Sequence, residues 1–215
     1  MNTVKRLVCR RWLSLVGVCI PAVAAVHAAP ATLSGAQLLA ALHQGGYVLV
    51  MRHANSPFTP PDKSTAEPDN VQLERQLDET GRTTAQAMGE AIQRLHIPVG
   101  EILSSPTYRA LETLRLASLG KTQTVSELDE PAQGMQANAD ATRSAWLRRK
   151  VAERPRRGTD TLIVTHTPNI MSTFGQSAAG IAAGETLVFR PDGHGTADLV
   201  ARIKIEEWPR LEMPK

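Results

Sequence analysis

An apolar run, Tyr47-Val48-Leu49-Val50-Met51, ends abruptly in Arg52 and His53. A run of that length without polar alternation suits a strand covered on both faces. Such strands sit in sheets sandwiched between helices, so this stretch limits the fold more than any bulk property does. Two further segments end in the same manner. Thr161 to Thr165 is apolar and stops at His166-Thr167-Pro168-Asn169, and the short strand Glu101-Ile102-Leu103 stops at Ser104-Ser105-Pro106.

Helical patterns alternate with these strands. Ser34 to Leu42 reads as a short amphipathic helix, with Ser34 at its N-cap and Gly45-Gly46 as its stop. Thr80 to Leu95 places Ala85, Met88, Ile92 and Leu95 on one face. Thr107 to Ser118 and Ala139 to Glu153 read as two more helices, and another short one is expected after His166. Gln123 to Leu128, Glu185 to Arg190 and Leu199 to Ile205 read as strands, the last two joined by a turn over Pro191 to Gly195. Asn55 to Gln76 is polar, carries four prolines and reads as a long loop over the end of the first strand. Glu130 to Asn138 reads as a second loop, and Trp208-Pro209 closes the chain. The expected fold is α/β: a three-layer α/β/α sandwich with a mostly parallel central sheet and an antiparallel edge. A chain of 215 residues is long enough for one such domain with a real core.

The N-terminus stands apart from this pattern. Lys5, Arg6, Arg10 and Arg11 precede an apolar run from Trp12 to Val26, and Val26-His27-Ala28 offers small residues for a signal peptidase. Residues 1–28 are therefore expected to be a cleaved signal peptide, and residues 29–215 a single catalytic domain, periplasmic or secreted. The run contains Pro21 and is short for a spanning helix, so no stable membrane association is expected after cleavage. The segment carries four cations and no anions, so the formal charge of +3 becomes about −1 without it. The basic balance then gives no reason to expect nucleic-acid binding. Cys9 and Cys19 leave with the segment, which excludes disulfides, a thiolate nucleophile and a cysteine metal site from the rest.

In open α/β sheets, ligands bind beyond the carboxyl ends of the strands. If the three polar strand ends are neighbours, Arg52, His53, Arg109 and His166 converge. Two guanidinium forks match pairs of phosphate oxygens and stay charged. One neutral imidazole can attack phosphorus, while a second, protonated, hydrogen-bonds an equatorial oxygen.

Arg52-His53-Ala54 resembles the Arg-His-Gly/Ala signature of the histidine phosphatase superfamily, also called phosphoglycerate-mutase-like. Ser104-Ser105-Pro106-Thr107-Tyr108-Arg109-Ala110-Leu111-Glu112-Thr113 resembles that family's second segment, Val164 to Ile170 its late histidine segment, and Leu77 to Arg82 the opening of its first long helix. Four segments in the right order span residues from about 46 to 205. Ala54 stands where many relatives carry glycine, and the proline-rich spacer from His53 to Leu77 departs from the family's pattern. The resemblance is to a small, exported phosphatase of the branch-1 type.

What the resemblance implies is a two-step hydrolysis without metal or cofactor. His53 becomes a phosphohistidine, which water hydrolyses, while Arg52, Arg109 and His166 hold the phosphoryl oxygens. The helix that begins at Thr107 adds its N-terminal dipole. The family also supplies a carboxylate that protonates the leaving oxygen. Leu128-Asp129-Glu130, with Gly134 four residues on, fits that segment, so Glu130 is the candidate acid. Glu127 is the reserve, and Asp62 and Asp69 in the loop after His53 are further alternatives. Asn55 and Arg75 are candidates to touch the phosphate. The expected partner is a small phosphorylated substrate, hydrolysed as a phosphomonoester. The alternatives are a phosphohistidine-protein phosphatase and a catalytically weak protein that binds phosphate or a phosphosugar. A metal-dependent hydrolase is disfavoured, because no HxH or HExxH spacing occurs.

Overall fold

The computed structural model describes residues 32–130 and 137–211. The expected signal peptide, both cysteines and Gly134 lie outside the described residues. The strands are β1 (Val48–Arg52), β2 (Val99–Ser104), β3 (Gln123–Thr124), β4 (Asp160–Thr165), β5 (Thr186–Pro191) and β6 (Ala197–Ile203). The helices are α1 (Gly35–Gln44), α2 (Glu79–Arg94), α3 (Tyr108–Ala117), α4 (Ala137–Ala152) and α5 (Thr167–Phe174).

All six strands form one sheet in the order β3-β2-β4-β1-β5-β6. β3, β2, β4 and β1 pair in parallel, while β5 pairs antiparallel with both β1 and β6. The reversed strand is thus second from the edge, and β6 runs in the direction of β1.

Alternation along β1 splits its side chains between two cores. Leu49 and Met51 join the cluster built with α1, α2 and α3, which also takes in Ile205 and Trp208 of the closing 3-10 turn. Val48 and Val50 join the cluster built with α4 and α5. Leu162 and Val164 of β4 face the first core and Ile163 the second. The runs lack polar alternation because helices cover both faces of the sheet.

The 16-residue α2 starts where Asp78 accepts a hydrogen bond from Gly81 N at 2.7 Å. A Cβ at Gly81 would lie 2.1 Å from Asn55 O, so only glycine lets the first turn of α2 pack on the backbone that follows His53. Gly89 plays the same part where α2 crosses α3, since a Cβ there would lie 2.0 Å from Ala117 O.

The strand expected over Gln123 to Leu128 is mostly absent. Only Gln123 and Thr124 pair with β2, and Ser126–Leu128 is a 3-10 turn. Leu128 is fully buried, and its carbonyl accepts from Thr165 Oγ1 at 2.7 Å. Burying that side chain draws the chain off the sheet edge and over the end of β4.

Candidate active site

The sheet register sets three polar termini side by side. Arg52 pairs with Thr165, and Ser104 pairs with Val164, so the residues that follow β1, β2 and β4 emerge on one rim. His53 is fixed through its backbone: its N–H donates to Thr165 O at 3.0 Å, and its carbonyl accepts from Gly184 N at 3.0 Å. Ala54 N donates to Thr113 Oγ1 at 3.1 Å, and that hydroxyl donates to Arg109 O at 2.8 Å. Thr113 therefore ties the segment after β1 to the turn of α3 that carries Arg109.

Hydrogen bonds assign the ring nitrogens of His53. Nδ1 lies 2.8 Å from the carbonyl of Ala54, an acceptor only, so Nδ1 carries the proton. Nε2 accepts from Arg109 Nε at 3.2 Å. The ring is 3% exposed. Burial lowers its pKa most; the bond to Ala54 opposes this in part, and the charges of Arg109, Arg52 and Arg75 lower it further, to about 3. His53 is thus a neutral imidazole with a lone pair on Nε2, which is the state a nucleophile needs.

His166 has the opposite tautomer. Its Nδ1 accepts from Arg109 Nη2 at 3.1 Å, and its Nε2 lies 2.9 Å from Ser105 Oγ, with Thr107 Oγ1 at 3.3 Å. The ring is fully buried, and burial together with Arg109, His53, Arg75 and Arg52 brings its pKa down to about 2. The protonated imidazole expected at this position is therefore not its resting state: burial, and then the cations around it, hold it neutral. The two rings meet edge to face, 5.2 Å apart and inclined at 62°. His166 occupies the N-cap position of α5, yet its side chain makes no capping bond there.

Three arginines converge on the histidines. Arg109 is 4% exposed and donates to both rings as well as to Glu130 Oε2 at 2.5 Å. Arg52 donates through Nη1 to Ile181 O at 3.1 Å, while its buried Nε has no partner among the described residues. A buried guanidinium N–H left unsatisfied calls for an acceptor. Arg75 donates to Pro57 O at 2.6 Å and Ser56 O at 3.2 Å, and its guanidinium lies 5.1 Å from the centroid of the Phe58 ring. Arg52, His53, Phe58, Arg75, Glu130, Thr167 and Pro168 line one cavity of about 410 Å³.

Glu130 reaches this cavity because its segment is tied down. Thr165 holds Leu128 O, and Asp129 O accepts from Asn169 Nδ2 at 2.9 Å and Arg143 Nη1 at 3.0 Å. Glu127 is drawn elsewhere: its carbonyl faces Asn169 and its carboxylate accepts from Ser126 Oγ. Asp62 is exposed and folds its carboxylate onto Ser64 and Thr65. Asp69 accepts from Tyr108 OH on the outer side of α3. Asn55 is corrected as well. Its side chain is exposed and donates to Asp78 Oδ2 at 2.6 Å, so the amide serves the α2 cap instead of the cavity. The amides expected to offer a helix dipole are also taken, Thr107 N by Ser105 Oγ and Tyr108 N by Glu74 Oε2.

Supporting residues not singled out in the sequence are Ser105, Thr113, Thr165 and Asn169. Each lies within a quoted segment: Ser105 and Thr165 at strand ends, Asn169 in the first turn of α5, and Thr113 one turn after Arg109 in α3. Among the described residues, no group of three or more His, Cys, Asp or Glu side chains is placed to hold a metal ion. Also among them, no helix is long and apolar enough to cross a membrane.

The family model for the histidine phosphatase superfamily (branch 1) matches residues 48–160. No curated protein matches the chain. Among solved structures, the protein histidine phosphatase SixA complexed with tungstate superposes with a TM-score of 0.52 and 17% identity, over 75% of this chain and 98% of that one. Phosphoserine phosphatase from Entamoeba histolytica, in complex with 3-phosphoglyceric acid, gives 0.52 and 14% over 73% and 95%. At these identities the likeness is one of fold.

Proposed function

We propose that this chain, which belongs to branch 1 of the histidine phosphatase superfamily, hydrolyses phosphomonoesters through a phosphohistidine on His53. One observation carries the reading. A neutral imidazole with its lone pair on Nε2 lines a cavity together with Arg52, whose buried Nε has no partner among the described residues.

The chemistry then follows from the residues. A phosphoryl dianion enters between Arg52 and Arg109 and takes the place of the Glu130 carboxylate on Arg109. Nε2 of His53 forms a bond to phosphorus as the ester P–O bond breaks. Arg52 and Arg109 bind the peripheral oxygens, and His166 donates to one of them once it takes up a proton on Nδ1 beside the dianion, so the transition state is stabilised by position and charge. Glu130, displaced from Arg109, carries a proton taken from solvent and passes it to the leaving oxygen. In the second step Glu130 takes a proton from water, the water oxygen bonds to phosphorus, and the P–N bond breaks to release phosphate. No step draws on a metal. Glu130 is the acid in this scheme because it lines the cavity, whereas Glu127, Asp62 and Asp69 do not.

Hydrolysis of phosphohistidine on a protein is a second reading. It is favoured by the mouth of the cavity, where Phe58 is 86% exposed. SixA is a protein histidine phosphatase of the same fold.

Export belongs to the same proposal. The cationic start, the apolar run and Val26-His27-Ala28 support cleavage after Ala28 and a periplasmic or secreted mature chain. Mass spectrometry of the secreted protein then finds Ala29 at its N-terminus; an intact Met1 in a membrane fraction contradicts it.

The activity is tested by incubating the protein with an aryl phosphate, with and without a chelator. Turnover that survives the chelator and is inhibited competitively by inorganic phosphate is expected. Phosphate binding without any turnover points to a binding protein, and turnover abolished by the chelator points to metal-dependent hydrolysis.

A further inference from the structure

Phe58 is the only large apolar side chain lining the catalytic cavity among the described residues, and water reaches most of its ring. An exposed phenyl ring forgoes the stabilisation that burial would give. This ring is nevertheless held in place. The Arg75 guanidinium covers one face, and Arg75 is itself anchored to the carbonyls of Ser56 and Pro57, the two residues before Phe58. The loop thus forms a clip in which a fixed cation positions an aromatic ring at the mouth of a phosphate site. At about 410 Å³, the cavity has room for a phosphoryl group on its cationic floor and a six-membered ring above it.

We infer that Phe58 is a stacking platform for the leaving group. The substrates preferred by this site are then phosphoryl compounds whose phosphorus is bound directly, or through one atom, to a planar aromatic or heteroaromatic ring. This rests on the phosphatase reading above. It adds a specificity residue outside the catalytic set, on the proline-rich loop that follows β1. Offset stacking of two rings is favoured over contact with a saturated ring of equal size, because the quadrupoles align and the flat faces approach closely. An aryl phosphate and a phosphohistidine both present such a ring.

Phosphonates test this without turnover, since their P–C bond is not hydrolysed. Binding of phenyl-, cyclohexyl- and methylphosphonate, and of inorganic phosphate, is measured by calorimetry for the native protein, Phe58→Ala and Phe58→Tyr. Phenylphosphonate is expected to bind about three- to tenfold more tightly than cyclohexylphosphonate. Phe58→Ala removes that difference, Phe58→Tyr retains it, and methylphosphonate binds equally to all three. Equal binding of the phenyl and cyclohexyl compounds to the native protein overturns the inference. So does a Phe58→Ala loss that is as large for methylphosphonate as for phenylphosphonate, which would mark Phe58 as a loop-folding residue. If neither inorganic phosphate nor any phosphonate binds, the phosphate site itself is refuted, and both readings fall. Parallel turnover of phenyl phosphate and of an N-phosphohistidine peptide separates the two sources of the ring, and Phe58→Ala lowers kcat/KM more for the one that uses the platform.

Discussion

The Nε–H of Arg109 points at Nε2 of His53 across 3.2 Å. A guanidinium stays protonated at any working pH, so this contact fixes Nε2 as the lone-pair nitrogen of the imidazole. The same side chain donates to Nδ1 of His166 and to the carboxylate of Glu130. One buried arginine thereby sets the tautomers of both histidines and holds the candidate acid in reserve.

The pH profile follows from that arrangement. The competent form of His53 is the deprotonated one, and its pKa is depressed to about 3. The nucleophilic form is therefore half populated at that pH and essentially complete by about pH 5. The profile of kcat/KM is expected to show no acid limb near the ordinary histidine value of about 6.5. An NMR titration of the His53 ring with a midpoint at about 6.5 would mean that the imidazole is not held neutral.

Glu130 is predicted to act on two measurements in opposite directions. Glu130→Gln removes the proton donor, so kcat/KM for alkyl phosphates falls by about 10²–10⁴, while kcat/KM for a nitrophenyl ester, which reports only phosphoryl transfer to His53, changes little. The same variant frees Arg109 from a competing carboxylate, so inorganic phosphate binds more tightly. An equal fall for both esters with weaker phosphate binding would assign Glu130 a structural role only.

Ser105 is a positioning residue for His166. Its hydroxyl accepts from the Nε2–H that leaves Nδ1 facing Arg109. Ser105→Ala is expected to lower kcat roughly tenfold, as loss of one buried hydrogen bond at the site implies, with KM almost unchanged and recovery in Ser105→Thr. A fall in melting temperature with kcat intact would place its role in folding alone.

Asp160 gives the fold a pH dependence at the opposite end of β4. It is 1% exposed, Oδ1 accepts from Tyr47 N at 2.9 Å, and Oδ2 has no partner among the described residues. Burial raises its pKa to about 7, against the hydrogen bonds from Tyr47 and Gly46. The folded chain then keeps a proton that the unfolded chain releases near pH 4, so stability falls as pH rises from about 4 to about 7 and then levels off. Asp160→Asn is expected to abolish that slope and to stabilise the protein at pH 8 by a few kcal/mol, measured by urea unfolding. A slope that persists in the variant would assign the titration elsewhere.

Much of the fold was legible because β1 and β4 are covered on both faces and leave uninterrupted apolar runs. Arg52, His53 and His166 were legible because each stands at or just beyond the end of such a strand, where sheet register fixes its neighbours, and Arg109 because it opens the helix that follows Ser104-Ser105-Pro106. Asn55 was misplaced for a physical reason. Two residues beyond His53 the chain has left the sheet, and the nearby Asp78 cap captures its amide. The resting charge of His166 could not be read from local sequence. It depends on burial and on arginines that converge from β1, α3 and the long loop. The turn at Ser126–Leu128 was hidden because Thr124 and Val125 favour extended chain, and nothing local shows that Leu128 finds a buried site.

The most direct test is to trap the covalent intermediate. The protein is mixed with an aryl phosphate, quenched in alkali within one turnover, digested and analysed by mass spectrometry. Phosphoryl mass on the peptide that contains His53, labile to acid and absent from His53→Ala, is the result this account predicts. Steady turnover with no phosphoryl group on His53 at any time, or turnover undiminished in His53→Ala, would contradict it.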